Sequence, residues 1–174
     1  MSAPTPQRTI EIRPYKSEDY AACRDLWVEL AEHHRKIYDA PWIGGDDPGA
    51  GLDEFLANEG RLGAWVASES AAIVGLAGLL KDGDEVELEP IIVSGAERGR
   101  GIERNLVDRV FAEARERGMR RVSVRAVARN VEAMAFYRSV GFRTLGLIEL
   151  MALLDETTTT FQHGLMIHGE AYDY

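Results

Sequence analysis

The chain has 174 residues, 45% of them hydrophobic, and carries 20 Lys/Arg against 29 Asp/Glu for a net charge of −9. That length suits one core and is short for two, since a chain of about 150 residues already buries roughly 70% of its unfolded surface. The acidic balance argues against a polyanion such as DNA as partner, and the lone Cys23 excludes an internal disulfide and fits a reducing cytoplasm.

The N-terminal MSAPTPQRT lacks the apolar region of a secretory signal, so export is not expected. Thr9 to Tyr15 alternates weakly and ends at Pro14, which predicts an edge strand. Ser17, Glu18 and Asp19 predict a helix start, and Tyr20, Cys23, Trp27, Leu30, Ala31 and His34 follow at three- and four-residue spacing, so the helix runs to about Tyr38. Asp39 to Gly51 is dense in Gly, Pro and Asp and reads as a loop. A short helix from Leu52 to Asn58 comes next, then strands over Leu62 to Ser68 and Ala71 to Leu80. The second strand is the first apolar run of any length, and it falls far short of the ~20 residues that span a bilayer.

A turn at Lys81 to Asp84 leads into a strand from Glu85 to Val93. Ile102, Leu106, Val110 and Ala114 then keep helical spacing as far as Gly118. Val122, Val124 and Ala126 alternate with polar neighbours and predict a strand over 121–127. Val131 to Val140 predicts a helix stopped by Gly141, and Phe142 to Leu154 reads as strand with a break at Gly146. The low-complexity Thr157 to Thr160 opens a tail, 157–174, that either adds an edge strand or stays mobile. Strand, helix, strand, helix, strand implies a parallel crossover in a mixed α/β sheet.

Charge is unevenly spread: Gly101 to Arg143 holds 10 Arg against 5 Asp/Glu, while Thr144 to Tyr174 holds no Lys or Arg against 5 Asp/Glu. The basic stretch follows Arg98-Gly99-Arg100-Gly101, which lies between a strand and a helix. Free backbone N–H groups and the positive end of the helix dipole converge on an anion at such a place. The turn lacks the Lys-Ser/Thr of a phosphate-binding P-loop, and Arg104 stands where a dinucleotide fingerprint needs its third glycine. An ordinary tight turn with exposed arginines is the plain alternative.

In this turn Arg98, Gly101 and Glu103 occupy the fixed positions of an Arg/Gln-x-x-Gly-x-Gly/Ala motif, with Glu103 departing from the small residue. Asn130, Ala133, Phe136, Tyr137, Gly141 and Phe142 fill Asn-x-x-Ala-x-x-Phe-Tyr-x-x-x-Gly-Phe completely. By these motifs the chain resembles the GNAT superfamily of N-acetyltransferases. The resemblance implies a GNAT-like mixed α/β (α+β) fold: a largely antiparallel central sheet with splayed parallel strands in the middle, about four flanking helices, and a single domain over 1–174. Acetyl-CoA is the implied co-substrate, entering between strands 85–93 and 121–127. Backbone groups of Ile91, Ile92 and Val93 are expected to meet its pantetheine arm and acetyl oxygen. Arg98, Gly99, Arg100, Gly101, Ile102 and Glu103 are expected to wrap its pyrophosphate, and Asn130 and Tyr137 to touch it as well. Pro90 independently suits a strand that is bulged or unpaired on one side.

The chemistry needs an acid and a base. Tyr137 is the candidate acid, since a phenol of pKa about 10 can protonate a departing thiolate whose acid has pKa about 8–9. Glu87 and Glu89 are the candidate bases for the attacking amine, placed by alternation on one face with Ile91 and Val93. Which of them serves is open. The acceptor, a small-molecule or peptide amine, is expected against His34, Tyr38 and Trp42, with His33, Asp46 and Asp47 nearby. His163 and His168 have no third ligand, so no metal is expected. The competing expectation is a catalytically weak or inactive CoA-binding or regulatory module, motivated by Glu103. Cytoplasmic location, no nucleic acid, no membrane, and a homodimer paired through a terminal strand or helix complete the expectations.

Overall fold

The computed structural model describes residues 9–152 and 161–174. Its main sheet has five strands in sequential order: β1 (Ile10–Pro14), β2 (Arg61–Glu69), β3 (Ala72–Asp82), β4 (Glu85–Val93) and β5 (Val122–Ser123). The first four form an antiparallel meander, and β4 and β5 are parallel. Helices α1 (Tyr20–Tyr38) and α2 (Ala50–Ala57) pack on one face, and α3 (Ile102–Glu116) and α4 (Val131–Val140) belong to the other. On the first face Cys23, Leu26, Leu52 and Phe55 meet Val66, Leu76 and Ile92; on the second Ile102, Leu106, Val107 and Val110 meet Ala67, Ala77, Leu79 and Val93. The helical spacing seen in the sequence is therefore what fills both layers. The strand-to-helix start of α1 is fixed by Asp19 rather than Ser17. A 3₁₀ turn, Ser17–Asp19, precedes the helix, and the buried Asp19 carboxylate accepts from the Lys16 N–H at 2.8 Å and from both Arg13 guanidinium nitrogens at 2.7 and 2.8 Å.

Those bonds, the Arg13 pair foremost, hold the Asp19 carboxyl below its ordinary pKa against the opposing effect of burial. A depressed folded pKa means stability that is present above the unfolded value of about 3.9 and lost as pH falls through the folded one. Asp19→Ala is expected to cost about 1–3 kcal/mol at pH 7, the range for losing charge-assisted hydrogen bonds whose partner, Arg13, stays partly in solvent. Urea denaturation of both proteins should show the difference narrowing below pH 4.

One irregularity governs everything downstream. Leu79 pairs with Leu88 but Ala77 pairs with Ile91, so Glu89 and Pro90 both stand against Gly78. This is a β-bulge, at a cis Glu89–Pro90 peptide bond. Gly78 is required there: a Cβ would lie 2.4 Å from the Glu89 carbonyl oxygen and 2.5 Å from the Phe55 ring.

Three sequence expectations are corrected. The predicted 121–127 strand pairs only through Val122 and Ser123, because β4 and the following chain diverge beyond them. Within 142–152 no strand forms; Leu145, Leu147, Ile148, Leu150 and Met151 are exposed there. Among the described residues the tail does not extend the main sheet. β6 (Leu165–Ile167) and β7 (Glu170–Tyr172) form a separate hairpin, while Thr157–Thr160 lies outside the described residues.

Candidate active site

The parallel pair is formed only at its start, with Val86 opposite Val122 and Glu87 opposite Ser123. The remainder of β4, from Leu88 to Val93, keeps β3 on one side and lines a V-shaped gap on the other. This is the opening predicted between the two strands. The bulge decides what faces it. Before the bulge Val86 and Leu88 point to the α3 side; after it Ile91 and Val93 do. Glu87 therefore lies on the α1/α2 side with Leu80 and Ile92, not on the face of Ile91 and Val93. Unbroken alternation placed Glu87 and Glu89 together with Ile91 and Val93; one surplus residue reverses the faces between them.

The two carboxylates differ in other ways. Glu87 is 3% exposed and is paired with Arg125, which also binds Asp82 at 2.7 Å. Burial raises the Glu87 pKa, and Arg125 opposes that in part. Glu89 is exposed, at the bulge itself. Its charge is among those that raise the pKa of Tyr137, after burial and Tyr38, and together they push the phenol up to about 12. Tyr137 thus keeps its proton across the neutral range. Its ring meets Phe136 at 5.5 Å and Phe142 at 5.7 Å, so the ring is packed as a core aromatic.

At the other end of the gap, β4 passes through a 3₁₀ turn, Gly95–Glu97, into the Arg98–Gly101 turn. Gly99 and Gly101 have φ of 75° and 80°, a left-handed conformation that glycine adopts without cost. This wraps the turn around the start of α3, whose first N–H groups have no helical partner. The N-cap residue, Gly101, has no side chain to cap them. The turn is held from three directions. Glu29 of α1 accepts from Ser94 Oγ at 3.2 Å and from the Gly95 N–H at 3.0 Å. Arg100 donates to Glu69 at 2.6 and 3.2 Å and also to Glu97. Arg104 donates to the Ser139 carbonyl at 3.2 Å. Among the described residues both guanidiniums are taken by acceptors other than Glu103, which has no ion pair.

Asn130 caps α4, its Oδ1 accepting from the Ala133 N–H at 3.1 Å, and its amide donates to the Tyr38 hydroxyl at 3.4 Å. Tyr38 stacks on His34 at 5.0 Å. Burial lowers the His34 pKa, with His33 and then Arg98 as smaller contributors. The end of α1 is thus tied to the start of α4. A cavity of about 250 Å³ between α1 and α2 is lined by His34, Trp27, Leu30, Ile43 and Glu54, and by Asp47, which Arg24 holds at 2.5 Å. Tyr38 and Trp42 do not line it, and Trp42 is 57% exposed. Trp27, Arg125 and Glu69 escaped the sequence reading. Trp27 was assigned to the buried stripe, while nothing local marked the two ion-pair partners.

Among the described residues no cluster of three His, Cys, Asp or Glu is placed to hold a metal, and no helix is long and apolar enough to cross a membrane. The Acetyltransferase (GNAT) family matches residues 16–142. An uncharacterized protein of Mycobacterium leprae (strain TN) is 35% identical over 114 residues, 63% of this chain but only 29% of that protein. Among solved structures the chain is similar to an aminoglycoside N-acetyltransferase AAC(6')-Iy in complex with CoA, at 18% identity and TM-score 0.66, covering 88% of this chain and all (100%) of that one. It is also similar to the paia N-acetyltransferase from Thermoplasma acidophilum in complex with coenzyme A, at 19% identity and TM-score 0.65, covering 78% and 90%. A transcriptional regulator from Bacillus halodurans C-125 is similar too, at 18% identity and TM-score 0.63, covering 83% and 100%. At these identities the structural likeness establishes the fold.

Proposed function

The chain belongs to the acetyltransferase (GNAT) family, and from that premise we propose that it is an N-acetyltransferase that moves the acetyl group of acetyl-CoA directly onto a primary amine. The observation that carries this reading is the splayed β4/β5 gap: β4 pairs with β5 only at its start and leads at its other end into the Gly-rich turn at the start of α3, and Glu89 on β4 acts electrostatically on Tyr137. The pyrophosphate lies on the amides of Gly99 to Glu103, and the pantetheine arm runs along β4 from Val93 toward the bulge. The amine, held on the α1/α2 side near His34 and Tyr38, loses a proton to Glu89. It attacks the thioester carbonyl, the tetrahedral oxyanion is stabilised by a β4 N–H such as that of Ile91, and the C–S bond breaks as Tyr137 protonates the CoA thiolate, the second N–H proton of the intermediate returning to the Tyr137 phenolate. Exposure at the bulge and electrostatic coupling to Tyr137 favour Glu89 over Glu87 as base. The Glu87 carboxylate is occupied by Arg125.

Calorimetry with acetyl-CoA tests the premise, and absence of binding at millimolar cofactor overturns it. A second reading, a CoA-binding module with little or no turnover, draws on the carboxylates around the turn. Glu69 and Glu97 neutralise Arg100, and Glu103 adds a charge that has no ion pair among the described residues. Glu103→Gly is expected to tighten acetyl-CoA binding by roughly five-fold, since charges about 4 Å apart in a water-like medium interact by about 1 kcal/mol. Level affinity in the same titration would mean that the carboxylate already points away from the pyrophosphate.

A further inference from the structure

Glu69 is one of four buried polar side chains among the described residues, at 7% exposure, and it lies outside every motif noted above. It ends β2, where its backbone is paired with Ile10 of β1 on one side and Ala72 of β3 on the other. The two-residue connection that follows, Ser70 and Ala71, is left-handed at both positions, with φ of 49° and 73°. The carboxylate therefore stands on a fixed part of the sheet. From 31 residues away, Arg100 reaches it with both terminal nitrogens, Nη2 at 2.6 Å to Oε1 and Nη1 at 3.2 Å to Oε2. A two-pronged, charge-assisted pair of this kind sets direction as well as distance.

Arg100 has a second acceptor in Glu97, but Glu97 belongs to the same loop and moves with it. Glu69 is the carboxylate that ties the guanidinium to the sheet. We propose that Glu69 is a positioning residue for the cofactor turn. Through Arg100 it holds Arg98–Gly101 in the shape that presents the α3 amides to a pyrophosphate, so Arg100 acts as a strut and not as a phosphate ligand. This rests on the reading of that turn as the acetyl-CoA site. Both carboxylates also raise the Arg100 pKa, Glu69 most strongly, as a committed partner does.

The strut and the ligand predict opposite signs. If Arg100 is a phosphate ligand merely parked on Glu69, then Glu69→Gln frees its charge and acetyl-CoA binds more tightly. If it is a strut, the turn loosens and acetyl-CoA binds more weakly. Steady-state kinetics with acetyl-CoA and with S-acetylpantetheine, which keeps the thioester and the arm but has no pyrophosphate, separates them.

For Glu69→Gln the ratio of kcat/KM for acetyl-CoA to that for S-acetylpantetheine is expected to fall about ten-fold, the scale of one charged hydrogen bond. The loss should appear in KM for acetyl-CoA and not in kcat. Arg100→Met should lower the ratio equally, and the double variant should add nothing further. Tighter acetyl-CoA binding, or an equal loss on both thioesters, overturns the proposal. A wild-type protein that does not bind acetyl-CoA overturns the underlying functional reading instead, and calorimetry distinguishes the two failures.

Discussion

Tyr137→Phe is expected to lower turnover by about 10²–10⁴-fold, the range of a positioned general acid, while leaving acetyl-CoA affinity nearly unchanged. The argument separates the ring from the hydroxyl. The ring is packed against Phe136 and Phe142, and phenylalanine preserves those contacts, so α4 and the fold should be unaffected. What is lost is a proton held at a pKa near 12 by burial, Tyr38 and Glu89. A phenol that retains its proton at neutral pH is a competent donor to a thiolate, because the thiol product has a pKa of only about 8.5. Without it the thiolate must leave as an anion or find a proton from water. Turnover with a working amine and unchanged binding by calorimetry are the measurements, and a kcat equal to wild type removes Tyr137 from the mechanism.

Glu89→Gln should have the next largest effect, roughly 10²-fold on kcat/KM. The pH dependence is more telling than the size. With a base in place, the wild-type protein works below the pKa of the acceptor amine. Without one, the rate depends on the amine that is already deprotonated, so the variant's kcat/KM should keep climbing with pH up to the amine's own pKa. Glu87→Gln serves as the comparison. It removes a carboxylate that is buried against Arg125, so it should cost about 1–3 kcal/mol of stability and leave the pH profile in place. If the profile changes in Glu87→Gln and not in Glu89→Gln, the assignment of the base is reversed.

Much of this architecture is written locally in the chain. The spacing of Tyr20, Cys23, Trp27 and Leu30 gives α1, and Val131–Val140 matches α4 at both ends because Asn130 and Gly141 are chemically suited to begin and end a helix. The Arg98–Gly101 turn was legible for the same reason. Pro90 marks the bulge in the sequence, but alternation carried unchanged across it puts Glu87 on the face of Ile91 and Val93, which the surplus residue reverses. Arg125, Glu69 and the cavity against Trp27 are products of distant pairing. No window of sequence joins residue 69 to residue 100, or residue 87 to residue 125. The apolar residues of 142–152 have the composition of a strand, but composition does not supply a neighbour, and among the described residues they have none in the main sheet.

The order of the strands has a bearing on how the molecule assembles. β1 through β4 are joined by neighbour-to-neighbour antiparallel pairing along most of their lengths, whereas β4 and β5 pair only at Val86 with Val122 and Glu87 with Ser123. Bringing β5 to β4 means closing a loop of roughly thirty residues, an entropic cost that two paired positions barely repay. The parallel seam should therefore zip last during folding and part first under thermal fluctuation, well before the meander loosens. A cofactor that bridges the start of α3 and the walls of the gap would then act as a late-stage fastener, and its arrival should slow amide exchange at Val122 and Ser123 far more than at the centre of β3.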